Sequence, residues 1–307
     1  MAHSAPLIIR LVASSVRTAR RAGDIIRNVM AQGDLRIVEK GKNDYQTEAD
    51  RSAQQCIIKS LERQFPSITI IGEEEQSSCD VPHEWIVTES EPDILSLDCP
   101  EELQNIRDEE VVVWVDPLDG TSEFTQGLVD HVTVLIGIAV GDRSVAGIIH
   151  QPYYKNEKGA NSQGRTLWGI RGIGVGGFEA QVPPSGQRII VTTRSHRTPE
   201  VHDAVEALQP AKVMYVGGAG HKVILLLEGK AHAYVFPSTG CKRWDTCAPE
   251  AVLAAAGGKL TDVNGHEYSY CKDTPYMNSS GVLATGAGQD HEWYIRKIPG
   301  AVRDKFV

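Results

Sequence analysis

Asp116 and Asp119 stand three residues apart, with Pro117 and Leu118 between them and Gly120-Thr121 behind. Two carboxylates on a stiff turn are a common way to hold a hard divalent cation, which takes oxygen ligands. Two more acids stand at similar punctuation: Glu73 directly after Gly72, and Asp245 in Trp244-Asp245-Thr246-Cys247-Ala248-Pro249-Glu250. Asp-x-x-Asp alone occurs in many proteins by chance. Four acids gathered at one point, with no matching local cations, would repel one another, so such a cluster calls for divalent metal. Magnesium suits it better than calcium, because the chain has no EF-hand loop. Zinc is disfavoured, because the six cysteines form no Cys-x-x-Cys pair.

Elements must carry these acids to one place. Val111-Val112-Val113-Trp114-Val115 reads as a buried strand, and Pro117 should end it, placing both aspartates at its C-terminal lip. Apolar residues at steps of three and four predict a helix over 7–31, stopped at Gly33. Residues 40–44 read as a polar loop. Thr47 with Asp50 three residues on resembles a capping box, which gives Asp50 an ordinary reading as a helix N-terminal acid. Residues 67–71 read as a strand, and Glu73 then lies at a strand end, where open α/β sheets place functional groups. Glu74 and Glu75 fit the usual reading of an acid run, a solvated face.

Residues 76–110 are acidic and weakly periodic, a surface excursion with short helical pieces. A short helix is expected over 122–126, a hairpin over 131–150 about Gly141-Asp142, and a second over 165–178. Residues 1–185 thus form an α+β lobe with a largely antiparallel sheet. From Arg188 strands alternate with helices, including one opened by Thr198-Pro199-Glu200, so 186–307 reads as an α/β lobe.

The net charge of −9 argues against a nucleic-acid or anionic-membrane surface, yet leaves room for a small anionic substrate met locally. Arginines interrupt residues 1–30, so neither a secretory segment nor a membrane span is expected, and a targeting peptide is disfavoured. Reduced cysteines in a cytoplasmic, monomeric enzyme are the natural reading, with a disulfide left open.

Asp116-Pro117-Leu118-Asp119-Gly120-Thr121, with upstream Gly72-Glu73-Glu74 and downstream Trp244 to Glu250, resembles the magnesium-dependent, lithium-sensitive phosphomonoesterase superfamily. That group includes inositol monophosphatases, inositol polyphosphate 1-phosphatases, fructose-1,6-bisphosphatases and bisphosphate nucleotidases. The resemblance runs from the first helix to about Thr285 and is strongest to the nucleotidases, through Val38-Glu39-Lys40, Thr193-Arg194-Ser195-His196 and Val216-Gly217-Gly218-Ala219-Gly220. It implies a layered α-β-α-β-α sandwich, mixing α+β and α/β lobes.

The resemblance also implies roles. Glu73, Asp116 and the Leu118 carbonyl would hold one magnesium, and Asp116, Asp119 and Asp245 a second, with a third weaker ion leaning on Glu73. Asp50 and Thr121 would take the proton from the attacking water. Gly120, Thr121, Thr193, His196, Gly218 and Lys222 would bind a small-molecule bisphosphate. The implied reaction is loss of the 3′-phosphate of adenosine 3′,5′-bisphosphate, with 3′-phosphoadenosine 5′-phosphosulfate and inositol 1,4-bisphosphate as further substrates and lithium as inhibitor.

Two other readings stay open, an inositol polyphosphate 1-phosphatase and a metal- and nucleotide-binding sensor without catalysis. Read without the resemblance, His196 and Lys222 are a loop histidine and a surface lysine, and the glycine run is as well explained as a turn. Ser122 stands where close relatives often carry lysine, and Ala248-Pro249-Glu250 where inositol monophosphatases usually have glycine. On charge alone, Asp119→Asn should abolish activity and leave the fold intact.

Overall fold

The computed structural model describes residues 5–41, 44–74, 81–154 and 164–306. Helix α1 (Leu7–Gln32) follows the predicted spacing and ends at Gly33, whose φ of 79° is the left-handed cap. Its arginines form no free basic face. Arg20 donates to Glu91 at 2.8 Å and Arg21 to the Glu84 carbonyl at 2.6 Å, so they pin the 81–110 segment to the helix. That segment contributes Ile94 and Leu103 to the core through two single-turn helices, α2 (Pro92–Leu95) and α3 (Glu101–Gln104). Glu75 and residues 76–80 of the expected excursion, with Cys79 among them, lie outside the described residues.

The longer helix α4 (Glu48–Gln64) precedes these two in the chain and starts at Thr47, as its cap predicts. Where a polar loop was expected, β1 (Val38–Gly41) and β2 (Asp44–Gln46) pair as an antiparallel ribbon. β1 is exposed at every position, so it carries no apolar alternation from which a strand is read.

The first main sheet has six strands: β3 (Thr69–Gly72), β4 (Val111–Asp119), β5 (Thr133–Val140), β6 (Arg143–Gln151), β7 (Arg165–Ile170) and β8 (Gly174–Gly176), in that spatial order. Only β3 and β4 pair in parallel. Side chains of β4 alternate as a pleated strand demands. Val111, Val113 and Val115 pack into the core with α1 and α4, and Val112 and Trp114 into the opposite core.

The second sheet is β10 (Lys212–Val216), β9 (Ile189–Thr193), β11 (Ala233–Phe236), β13 (Val282–Thr285) and β12 (Lys259–Thr261) in spatial order. β10, β9 and β11 run parallel, with β13 and β12 antiparallel beyond. Between the sheets lie α5 (Ala219–Leu227) and α6 (Arg243–Ala255), in a core shared by Trp114, Leu135 and Ile149 of the first sheet and Val191, Tyr234 and Phe236 of the second. Outside the second sheet, α7 (Pro199–Ala207), α8 (His291–Lys297) and α9 (Gly300–Arg303) bury Val205, Ile295 and Val302 against Ile190 and Val235. The layers therefore run α-β-α-β-α. Among the described residues, no helix is long and apolar enough to cross a membrane.

One row of residues sets the height of α6 above the first sheet. Trp114, Gly137, Gly147 and Gly169 face one another across four neighbouring strands. A Cβ on Gly147 would lie 2.3 Å from the Ala248 carbonyl oxygen, and one on Gly137 2.6 Å from the Ala248 nitrogen. Only glycine at these three positions lets the helix backbone rest on the pleat. Asp245 stands at the N-terminal end of that helix.

Candidate active site

Pro117 does not end β4. The strand continues to Asp119 through a bulge: Asp116 faces Leu135 and Asp119 faces Thr133, so one extra residue sits on β4. Proline is tolerated at such a bulge, where no ladder bond is asked of it. The bulge has a consequence for the two acids. In a regular pleat residues three apart point to opposite faces, and the extra residue returns Asp119 to the face of Asp116. Asp116, Asp119 and Asp245 present carboxylate oxygens within 4.8 Å of one another.

Each acid is held by a specific device. The Leu118 N–H donates to Asp116 Oδ1 at 3.0 Å and stiffens the turn. Asp119 accepts from the Thr133 hydroxyl at 2.7 Å and from the Ala219 and Gly220 N–H groups, both at 2.8 Å. Asp245 is the third residue of α6 and accepts the Lys242 N–H at 2.6 Å. Asp50 does the same in α4, accepting the Thr47 N–H at 2.7 Å. Glu73 follows β3 and continues its pairing through a bond from its N–H to the Val115 carbonyl at 3.0 Å.

Burial dominates the electrostatics. It pushes Glu73 up to about 8, with the charge of Asp245 adding to the effect. Burial, then the charge of Asp119, takes Asp245 to about 6. Asp116 is raised well above the carboxylate range by burial and then by Glu73, Asp119 and Asp245. Burial also raises Asp119, against the opposing pull of Thr133 and Lys222. These four acids fit a divalent cation: they offer oxygen donors only, and burial, with mutual repulsion, raises all four toward protonation, a penalty that a bound cation would relieve.

The expectation that no cation stands near them is corrected. Lys40 and Lys242 place their ammonium groups 3.5 and 3.7 Å from Glu73. Lys40 also pairs with Glu74 at 2.8 Å. Glu74 is buried, so its reading as a solvated acid is wrong. Lys40 and the Gln46 amide bond its carboxylate, and Gln54 Oε1 accepts its N–H at 2.9 Å.

Asp50 and Thr121 meet across the first core. The Thr121 hydroxyl lies 2.9 Å from Asp50 Oδ1 and 3.0 Å from the Leu118 carbonyl. The other Asp50 oxygen accepts the Thr47 hydroxyl at 2.5 Å. Burial takes Asp50 up to about 6, with the Thr47 bonds opposing. Its capping and its partnership with Thr121 coexist, since the two use different oxygens.

A cavity of about 260 Å³ opens beside these groups. Glu73, Asp119, Gly120, Thr121 and Asp245 line it on one side, and Thr193, His196, Gly218 and Lys222 on another. His196 is exposed, with its N–H bonded to the Thr193 hydroxyl at 3.1 Å. Lys222 is buried rather than on the surface. It donates to the Gly218 carbonyl at 2.9 Å and lies 5.3 Å from the centre of the Tyr234 ring. Gly218 has a φ of 69°, and a Cβ there would meet the His131 carbonyl at 2.5 Å.

Sequence reasoning passed over Tyr45, Glu123, Tyr234, Phe236 and Cys241, which line the same cavity. No local motif marks them, because only the tertiary fold brings residues of β2, the helix Thr121–Thr125 and β11 to one cavity. The Lys242 ammonium carried a readable signal, three residues before an expected metal acid.

The inositol monophosphatase family profile matches residues 10–303, and the chain belongs to that family. Over its full length it is 51% identical to 3′(2′),5′-bisphosphate nucleotidase 1 of Homo sapiens, with both chains covered completely. It is 39% identical to the protein of that name in Dictyostelium discoideum, over 94% of this chain and 96% of that one. Among solved structures, the extragenic suppressor protein suhB of Bartonella henselae superposes with a TM-score of 0.67 at 21% identity, covering 93% of this chain and 96% of that one. That likeness is one of fold.

Proposed function

We propose that this phosphoric monoester hydrolase removes the 3′-phosphate of adenosine 3′,5′-bisphosphate, giving AMP and phosphate. One observation carries the reading. In a chain similar throughout to bisphosphate nucleotidases, Asp119 and Asp245 of the acid cluster and Thr121, which is bonded to Asp50, share a cavity with an anion-suited wall of Thr193, Gly218 and Lys222.

Glu73, Asp116, Asp119, Asp245 and the Leu118 carbonyl would hold two to three magnesium ions. When bound, these ions would supply charge neutralisation at the phosphate and a water activated for attack. A threonine hydroxyl has one proton to donate. With the Leu118 carbonyl committed elsewhere, Thr121 donates to Asp50 and turns its lone pairs to the attacking water. The proton from that water then passes through the Thr121 hydroxyl to Asp50, whose raised pKa suits it to accept. The Gly120 and Thr121 N–H groups would face the scissile phosphate, and Thr193, His196, Gly218 and Lys222 the rest of the nucleotide.

On the same footing, residues 1–185 and 186–307 act as two lobes of one cytoplasmic monomer. The free state of Cys56, Cys99, Cys241, Cys247 and Cys271 among the described residues supports a reducing setting.

Phosphate release from purified protein with magnesium tests the function, using adenosine 3′,5′-bisphosphate, 3′-phosphoadenosine 5′-phosphosulfate and inositol 1,4-bisphosphate. Release from the first, inhibited by lithium, is expected. Folded protein that releases phosphate from none of them removes the proposal.

A further inference from the structure

Glu123 is a buried carboxylate lining the cavity that the proposed function fills with an anion at both ends. A buried acid among anion-binding groups costs free energy unless a cation faces it. Arg194 is such a cation, with Nη1 3.3 Å from Glu123 Oε1. Its Nη2 donates to Gln126 Oε1 at 2.8 Å, and its main-chain N–H to the Val216 carbonyl at 3.1 Å. Its neighbours Thr193, Ser195 and His196 line the cavity, whereas the guanidinium lies behind Glu123.

The pair joins two walls. Glu123 lies in the short helix Thr121–Thr125, whose first residue is the proposed proton relay. Arg194 directly follows Thr193, the last residue of β9, and begins the loop carrying His196; both were proposed above to face the part of the nucleotide away from the scissile phosphate, where the second phosphate lies. Gly217 closes the third side: a Cβ there would lie 2.0 Å from Glu123 Cδ, so that backbone packs flat on the carboxylate.

We propose that the Glu123–Arg194 ion pair is the spacer between two phosphate subsites, and that it selects substrates with two phosphates over those with one. Arg194 is a positioning residue, acting through Glu123. The inference rests on the bisphosphatase reading above.

The test compares adenosine 3′,5′-bisphosphate with adenosine 3′-monophosphate. Arg194→Met should lower kcat/KM for the bisphosphate roughly tenfold, mostly through KM, because it leaves an unpaired carboxylate facing the second phosphate and slackens the wall. Turnover of the monophosphate should stay unchanged. Arg194→Lys keeps the charge without the fork to Gln126 and should recover part of the preference. The double variant Glu123→Gln/Arg194→Met removes the stranded charge and should recover part of the loss, with the preference still below wild type because the wall stays slack. Equal losses on both substrates, an unaltered ratio, or full recovery in the double variant would overturn the spacer. If Arg194→Met fails to fold, the lysine and double variants decide by the same ratio. Wild-type protein that cleaves neither nucleotide would instead sink the functional reading, a result separable from any variant's ratio.

Discussion

The indole N–H of Trp114 donates to the main-chain carbonyl of Tyr270 at 2.9 Å, and the Tyr270 hydroxyl donates to Glu250 Oε2 at 2.6 Å. One tyrosine therefore ties β4 to α6. Trp114 stands two residues before Asp116, and Glu250 five residues after Asp245. Ser144 at 3.0 Å and Arg171 at 2.8 Å complete the shell of Glu250. The buried network thus fixes the two elements whose carboxylates are proposed to converge on a cation.

Tyr270→Phe deletes the hydroxyl and keeps the carbonyl that holds Trp114. The expected cost is about 1–2 kcal/mol of stability, since a buried bond to a charged acceptor is lost. The magnesium dissociation constant should rise severalfold, with kcat at saturating magnesium near wild type. Calorimetric titration and denaturant unfolding check the two numbers separately. Unaltered magnesium affinity in a destabilised variant would reduce the network to a structural role.

Gly147→Ala tests the glycine row. The new methyl would press on the Ala248 carbonyl, a backbone atom that yields only if the whole of α6 lifts. Overpacking of this kind costs about 1–3 kcal/mol. Gly300→Ala, where nothing lies within 4 Å, is the control and should be close to neutral. Urea unfolding of both variants measures the contrast, and equal stabilities would contradict the close-contact account.

The sequence showed most of this site because its acids sit beside punctuation. Glycine before Glu73, proline inside the Asp116–Asp119 turn and a cap before Asp50 are local features, and local features are readable. The layer order came from the family resemblance, and apolar alternation and interleaved helices and strands marked only the individual elements. Three things were not readable. The bulge at Pro117 depends on the register with β5, which no residue of β4 announces. The burial of Glu74 comes from Lys40, Gln46 and Gln54, distant in the chain. The Glu123–Arg194 pair joins residues 71 apart, and only the packing of the two sheets brings them together.

Asp119→Asn shows what geometry adds to charge counting. Charge alone expects an inactive and fully stable protein. Asp119, however, accepts three hydrogen bonds, two of them from the N–H groups that start α5. An amide keeps one acceptor oxygen and turns a donor toward donors. The variant should be inactive and also less stable by about 1–3 kcal/mol, the usual cost of unsatisfied buried polar groups. Thermal unfolding and phosphate release measure both effects. Unchanged unfolding would return the argument to charge alone.

The acid cluster also fixes how stability depends on pH. Glu73, raised to about 8, and Asp245, raised to about 6, hold protons in the folded state that the unfolded chain has released. The sign follows from linkage: where the folded state binds more protons, stability falls as pH rises. Without added cation, the contribution of these groups is fully present below their ordinary carboxylate pKa values. It is lost as pH climbs through about 6 and then about 8. Magnesium competes with those protons, so its binding tightens over the same interval. The rise in Tm on adding magnesium should therefore be small near pH ~5 and grow steadily toward pH ~8. Thermal scans with and without magnesium across that range measure it. A magnesium-induced shift independent of pH would mean that the cation binds away from Glu73 and Asp245.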